Sequence, residues 1–306
     1  MRIIHEYYNH SRDFPGIRKF LIDIFNKLHS FQYFIPSNIE NNKFGPCGTT
    51  YKEEDDKNFI RWSIHEDNFQ DKVIGLSFIN SHGLIVLEIH PDYKKHEKEI
   101  IEQLEVIYKN NNIICFLLSE NDQDKEKILL SKDYIRIEYD LSFRIRKLEE
   151  PIPQIDLPKG FAIRNITGID DYEKLLTVVG STFPHCKDNM TIEKIQFLTT
   201  AEFYHQDLDL ICEAPNGEFS SFITVRFDAI SKIAEFEPVG THPNYRRLNL
   251  AKALISEGLK RLQSYEPTLI CITQANNDEP ADLFYNNLGF KKINIFEMRK
   301  GKLRKI

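Results

Sequence analysis

The chain has 306 residues, 41% hydrophobic and 28% charged, with a formal net charge of −6. That length allows two domains of ordinary size with packed cores, and the acidic balance argues against general nucleic-acid binding, which needs a basic face. The first eight residues carry no signal-peptide core, no apolar run is long enough to span a bilayer, and Cys47, Cys115, Cys186, Cys212 and Cys271 are scattered with no Cys-x-x-Cys pair, so we expect a cytoplasmic protein with reduced thiols, no zinc cluster, no disulfide frame and no membrane partner.

In chain order, residues 1–8 read as a first strand. Strands follow at about 59–66, 73–80 and 83–90, then a helix at 95–109, a strand at 112–119, a helix at 122–131 and a strand at 134–145. Residues 148–160 hold three prolines and neither a helical nor a strand period. Proline bars a continuing helix and makes the residue before it extended. The boundary is placed there, giving domains 1–150 and 151–306.

The second half reads as strands at about 160–166, 208–213, 220–227, 233–241, 268–274 and 290–299. Its helices fall at about 171–181, 191–202, 247–263 and 279–287. Pro215-Asn-Gly-Glu218 lies between two apolar runs and signals a hairpin. Leu250, Ala251, Leu254, Ile255, Leu259 and Leu262 repeat at three and four, the buried stripe of an amphipathic helix. The expected class is α/β: two tandem domains, each a mixed β-sheet flanked by helices.

The two halves share a plan. His90-Pro-Asp-Tyr-Lys-Lys95 returns 152 residues later as His242-Pro-Asn-Tyr-Arg-Arg247. Ile114-Cys115 with Asn121-Asp122 returns 156 residues later as Ile270-Cys271 with Asn277-Asp278. In the second copy an apolar strand runs into a basic turn and then a helix. The first turn of a helix has unpartnered N–H groups and a dipole that favours anions, and Arg246 and Arg247 add charge there. A phosphate or pyrophosphate suits such a place. Upstream, Glu235, Glu237, Val239 and Thr241 alternate onto one face of the strand. Two carboxylates on one strand face suggest a cleft, where mutual repulsion and burial raise one pKa towards a useful range.

Two segments carry a family likeness. They are His242-Pro-x-Tyr-Arg-Arg-x-Asn-x-Ala251 and Asn277-Asp-Glu-Pro-Ala-Asp-Leu-Phe-Tyr-Asn-Asn-Leu-Gly-Phe290. With the order of elements over about 158–300, they resemble the GNAT superfamily of acyl-CoA-dependent N-acyltransferases. The doubled chain resembles the tandem GNAT enzymes, a group that includes mycothiol synthase. The resemblance implies transfer of an acetyl group from acetyl-CoA, as cosubstrate and without a metal, to a primary amine of a small molecule. It implies Tyr285 as general acid and Glu235 as base, with Glu237 in reserve. Backbone groups of Val239, Gly240 and Thr241 would pair with the pantetheine arm. Arg246, Arg247, Leu248, Asn249, Leu250 and Ala251 would surround the pyrophosphate, and Asn276 or Asn277 would take the family's asparagine role. Tyr204 and Phe227 are candidates to line the acceptor pocket. The protein would act as a monomer or homodimer.

Two positions depart from the family pattern. Asn249 stands where glycine is usual, and asparagine is the next most tolerant residue of left-handed geometry. Asp278 stands where asparagine is usual. Both features fit an alternative, a non-catalytic acyl-CoA-binding sensor or scaffold. The first half has Lys95-His-Glu-Lys-Glu-Ile100 at the matching turn, and Leu129, Asp133 and Tyr134 where the second has Tyr285, Gly289 and Phe290. Glu97 and Glu99 oppose a pyrophosphate and leucine donates no proton, so this half is expected to be a degenerate, noncatalytic copy.

Overall fold

A computed structural model describes residues 2–28, 32–47, 57–65, 71–80, 82–111 and 113–300, with Gln274 described by its backbone alone. The elements run in chain order as β1 (Arg2–Tyr7), α1 (His10–Leu28), α2 (Pro36–Phe44), β2 (Phe59–His65), β3 (Lys72–Ile79), β4 (Leu84–Ile89), α3 (Glu97–Ile107), β5 (Ile114–Ser119), α4 (Gln123–Leu130), β6 (Ile135–Glu138) and β7 (Leu141–Arg146). They continue as β8 (Ala162–Asn165), α5 (Ile169–Thr182), α6 (Ile192–Leu198), β9 (Asp209–Glu213), β10 (Phe219–Asp228), β11 (Ile233–Thr241), α7 (Leu250–Leu262), β12 (Leu269–Asn276), α8 (Glu279–Asn286), β13 (Lys291–Ile293) and β14 (Ile295–Lys300). Among the described residues no helix is long and apolar enough to cross a membrane.

The chain divides into two units, but not by one cut at residue 150. The first unit takes residues 1–35, 52–142 and 293–306, and the second takes 36–51 and 143–292. The first unit's sheet runs β1-β2-β3-β4-β5-β14-β6, and the second unit's runs β13-β7-β12-β11-β10-β9-β8. Each sheet therefore contains a strand from the opposite half of the sequence. The run expected as one strand at 134–145 breaks into β6 and β7, and the run expected at 290–299 breaks into β13 and β14. In both cases the two pieces go to different sheets. The proline-rich segment is a connection as expected, but it lies within the second unit.

Each unit has its own apolar core. In the first, Trp62, Leu87, Ile100, Leu104, Phe116 and Met298 are buried together. α1 adds Ile17, Phe20, Leu21, Ile24 and Phe25 at three- and four-residue spacing, a stripe not among the predicted helices. In the second, the predicted α7 stripe of Leu250, Leu254, Ile255, Leu259 and Leu262 packs on Val225, Phe236 and Ile270. Burying each such side chain is worth about 1.5–3 kcal/mol. α7 is thereby held on the sheet, and the turn that precedes it is fixed.

Candidate active site in the second unit

β11 and β12 pair in parallel at Ile233↔Leu269, Ala234↔Ile270 and Glu235↔Cys271, and there the pairing ends. Both strands run on, β11 to Thr241 and β12 to Asn276. Among the described residues β11 has no β12 partner from Phe236 onward, so its backbone groups on that edge face a gap. On its other edge β11 stays paired with β10, through a bulge: Ile223 opposes Val239 and Val225 opposes Phe236. Thr224 thus faces two residues, Glu237 and Pro238. Bulges bend a strand and re-aim its side chains. This one corrects the expected alternation. Val239 packs with Phe236 in the α7-side core, so it does not share the face of Glu235. Gly240 lies buried beneath an aromatic ring. A Cβ there would meet Phe222 Cζ at 2.4 Å and Thr182 Cγ2 at 3.0 Å.

The two carboxylates differ sharply. Glu235 is 0% exposed and accepts from four donors. Thr273 Oγ1 and Asn38 Nδ2 donate to Oε1 at 2.6 and 2.7 Å. Ser37 Oγ and Arg226 Nη1 donate to Oε2 at 3.2 and 3.3 Å. A carboxylate so satisfied and paired with a buried guanidinium has no lone pair turned to a ligand. The first choice of base is therefore not supported by its surroundings. Glu237 is half-buried and accepts no hydrogen bond among the described residues. Burial pushes its carboxyl up to about 7, with Arg226 opposing and the Glu235 charge adding to the rise. The reserve residue has the properties of a base.

The basic turn has the geometry that its asparagine allowed. Asn249 sits at φ 60°, ψ 17°, left-handed, and is the N-cap of α7 without a side-chain hydrogen bond to the helix. Arg247 is also left-handed, at φ 65°. Such backbone points successive N–H groups to one side and forms an anion-binding concavity. Arg246, Arg247, Leu248 and Asn249 are exposed, and neither arginine has an ion-pair partner among the described residues. Leu250 is core, so only its backbone faces the turn, while Ala251 is half-buried. Thr241 Oγ1 is bonded to Ser221 Oγ at 2.9 Å. Asn276 and Asn277 are exposed where β12 gives way to α8. Asp278 caps α8, its Oδ1 accepting from Ala281 N at 2.8 Å. Its departure from the family pattern is thus a helix cap.

Tyr285 is half-buried on α8 and packs edge-on to Phe284 and Phe290. Burial pushes its phenol up to about 12, the Glu237 charge adds to that rise, and Arg144 works against it. Glu237 and Tyr285 thus share one electrostatic neighbourhood. The acceptor-pocket expectations fare less well. Phe227 is 4% exposed and packed in the core against His205 and Tyr265. Tyr204 donates to Asp209 Oδ2 at 2.9 Å, a bond that spends its hydroxyl internally. Sequence reading missed Ser37 and Asn38, which carry no motif. It also passed over Arg226 and Thr273, although a charged or hydroxyl residue inside an apolar strand was a visible signal.

The first unit repeats the frame. His90 and His242 each accept a backbone N–H two residues on, and Tyr134 N bonds Leu129 O as Phe290 N bonds Tyr285 O. Asp133 and Gly289 are both left-handed. β4 and β5 also part after two paired residues. There, however, the buried Lys125 ammonium donates to Leu87 O at 2.9 Å and lies 3.4 Å from Asp122 and 3.8 Å from Glu97. Burial works against that charge, and Asp122, Glu97 and Glu88 hold its pKa above the ordinary value. Glu97, buried, starts α3, where the second unit presents its uncapped turn.

Residues 181–290 match the acetyltransferase (GNAT) family. A mycothiol acetyltransferase of Paenarthrobacter aurescens (strain TC1) is 25% identical over 153 residues, covering 48% of this chain and 47% of that protein, so the match spans about half of that relative. A GCN5-related N-acetyltransferase from Sphaerobacter thermophilus superposes with a TM-score of 0.63 at 13% identity, over 97% of this chain and 95% of the other. A tandem GNAT protein from the clavulanic acid biosynthesis pathway superposes with a TM-score of 0.65 at 11% identity, over 99% and 100% of the two chains. With the strand gap, the turn and the doubled sheet in place, residues 181–290 match the GNAT acetyltransferase family, and the chain as a whole shares the fold of a tandem GNAT protein.

Proposed function

We propose that the second unit is an N-acetyltransferase that moves an acetyl group from acetyl-CoA to a primary amine of a small molecule. The observation that carries this reading is the parting of β11 from β12 beyond Glu235, with Glu237 on the open part of β11 and Tyr285 on the helix that follows β12. Backbone groups of Val239 to Thr241 on the edge away from β10 fit an amide-bearing pantetheine arm, while the Gly240 carbonyl accepts from Ser221 Oγ at 2.6 Å. The left-handed turn at Arg247 and Asn249, with the two arginines, fits a pyrophosphate. Bound there, acetyl-CoA supplies a thioester carbonyl open to direct attack.

Glu237 then takes the proton from the attacking amine, for which a pKa near 7 is suited. Tyr285, protonated throughout the neutral range, gives its proton to the departing sulfur. Glu235 keeps the Arg226 charge paired and holds the strand and its negative field in place. The first unit is a noncatalytic copy. Lys125 fills its strand gap, and Glu97 holds the start of α3.

The test is free thiol released from acetyl-CoA by purified protein across a panel of small amines. Turnover with at least one amine is expected, and Tyr285→Phe lowers kcat by about 10²-fold or more. Thermal stabilisation by acetyl-CoA with no thiol release across the panel would assign a binding protein instead. Absence of stabilisation would remove both readings.

A further inference from the structure

Arg144, on β7, has no part in the reaction as written above, and its setting calls for one. Its side chain is 0% exposed. Nη2 donates to Asp282 Oδ1 at 2.5 Å and to the Asn276 carbonyl at 3.4 Å. Nε and Nη1 have no hydrogen-bond partner among the described residues. A buried guanidinium with idle donors is expensive, and an apolar side chain of similar volume fills such a space more cheaply. What the charge faces is the Tyr285 ring, whose centroid lies 5.4 Å from Arg144 Cζ. Cation–π attraction at that range fixes where the ring sits.

We propose that Arg144 is a positioning residue for Tyr285: it holds the ring and stabilises the phenolate left when the phenol proton passes to the departing thiolate. This rests on Tyr285 being the proton donor of the reaction proposed above. In the step the acyl C–S bond breaks and the C–N bond forms. The sulfur takes the phenol proton, Glu237 takes the amine proton, and the phenolate is reprotonated from water before the next turnover. The charges around the ring come from several elements. Glu237 on β11 opposes the phenolate and Arg144 on β7 favours it. Asp282 on α8 is the counter-ion of Arg144 and is shared with Lys292 at 3.2 Å. Lys252 on α7 stands over the neighbouring Phe284 ring at 5.8 Å. Arg144 is the cation stacked on the tyrosine itself.

The experiment combines steady-state kinetics with ¹³C NMR of the full-length protein labelled at the tyrosine phenol carbon, the Tyr285 resonance being assigned with Tyr285→Phe. Arg144→Gln should lower kcat about tenfold, the effect of roughly one pKa unit on the donor. KM for acetyl-CoA should stay within about twofold. The same substitution made on top of Tyr285→Phe should cost nothing further. Tyr285 should ionise at higher pH in Arg144→Gln, and at lower pH in Asp282→Asn, where the cation loses its counter-charge. Arg144→Lys should recover most of kcat. Equal losses with and without the Tyr285 hydroxyl, or a Tyr285 resonance unmoved by both variants, would overturn the proposal. Should Arg144→Gln fail to fold, Asp282→Asn decides alone, because it keeps the buried charge. If no amine in the panel is acetylated, the NMR titration still decides the positioning role, so the two failures are told apart.

Discussion

Replacing Glu237 by glutamine removes the proposed base without changing its size. Burial lifts the carboxyl from its ordinary 4.5 to about 7. Its ionised fraction then rises from about one tenth at pH 6 to about nine tenths at pH 8, so kcat/KM should climb close to tenfold across that range. Glu237→Gln should lose about 10²-fold or more at pH 8 and lose that acid limb. The same shift has a stability consequence of definite sign. The folded state holds the proton more tightly than the unfolded state, so stability falls as pH rises from about 4.5 to about 7. The full shift corresponds to about 3 kcal/mol, and the partial exposure of the side chain trims it to about 1–2 kcal/mol. Glu237→Gln should therefore be the more stable protein at pH 8 and no more stable near pH 4. Initial rates from pH 5.5 to 9 and urea unfolding at both pH values measure the two effects. An acid limb that survives in Glu237→Gln, or a variant less stable than the parent at pH 8, would refute the reasoning.

Glu235→Gln should act mainly on the fold. It leaves Arg226 buried without its counter-charge, a change of about 3–5 kcal/mol in chemical denaturation. In whatever folds, the acid limb should move below its parental position, because the Glu235 charge adds to the rise at Glu237. Asn249→Gly should tighten acetyl-CoA binding by calorimetry and leave stability within about 1 kcal/mol, since the backbone there is already left-handed. Lys125→Ala strips the buried counter-charge from Asp122 and Glu97 and should cost about 3–5 kcal/mol by urea unfolding. A loss below about 1 kcal/mol would show that water compensates that cluster.

What the sequence disclosed was local. The apolar stripe of α7, the turn before it and the left-handed tolerance of Asn249 depend on residues within a few positions of one another, and all three are present. The bulge opposite Thr224 was not foreseen, and it changed which residues share a face with Glu235. Pro238 inside a strand was its signal, since proline donates nothing to a ladder and gathers at bulges. Strand partners were beyond reach. The sequence of β7 or β14 shows that each is a strand, but alternation does not name a neighbour. α2 was hidden differently. Pro36-Ser-Asn-Ile-Glu-Asn-Asn-Lys-Phe44 has almost no apolar face, and it is placed by Ser37 and Asn38 reaching a carboxylate about 200 residues away. The ranking of the two glutamates turned on those same contacts, which no spacing rule contains.

The exchange of strands sets an order of events during synthesis. β14 lies between β5 and β6 in the first sheet, yet it is made after every other strand of that sheet. A nascent chain can hold every other strand of that sheet and still have an interior vacancy, with the backbone groups of β5 and β6 unpaired. Domains usually close one after another as they are translated. Here the N-terminal unit reaches its final sheet only after residues 295–300 are available, so premature termination between β6 and β14 leaves an open, aggregation-prone edge, even where the stop falls just before β14, more than 150 positions beyond β6.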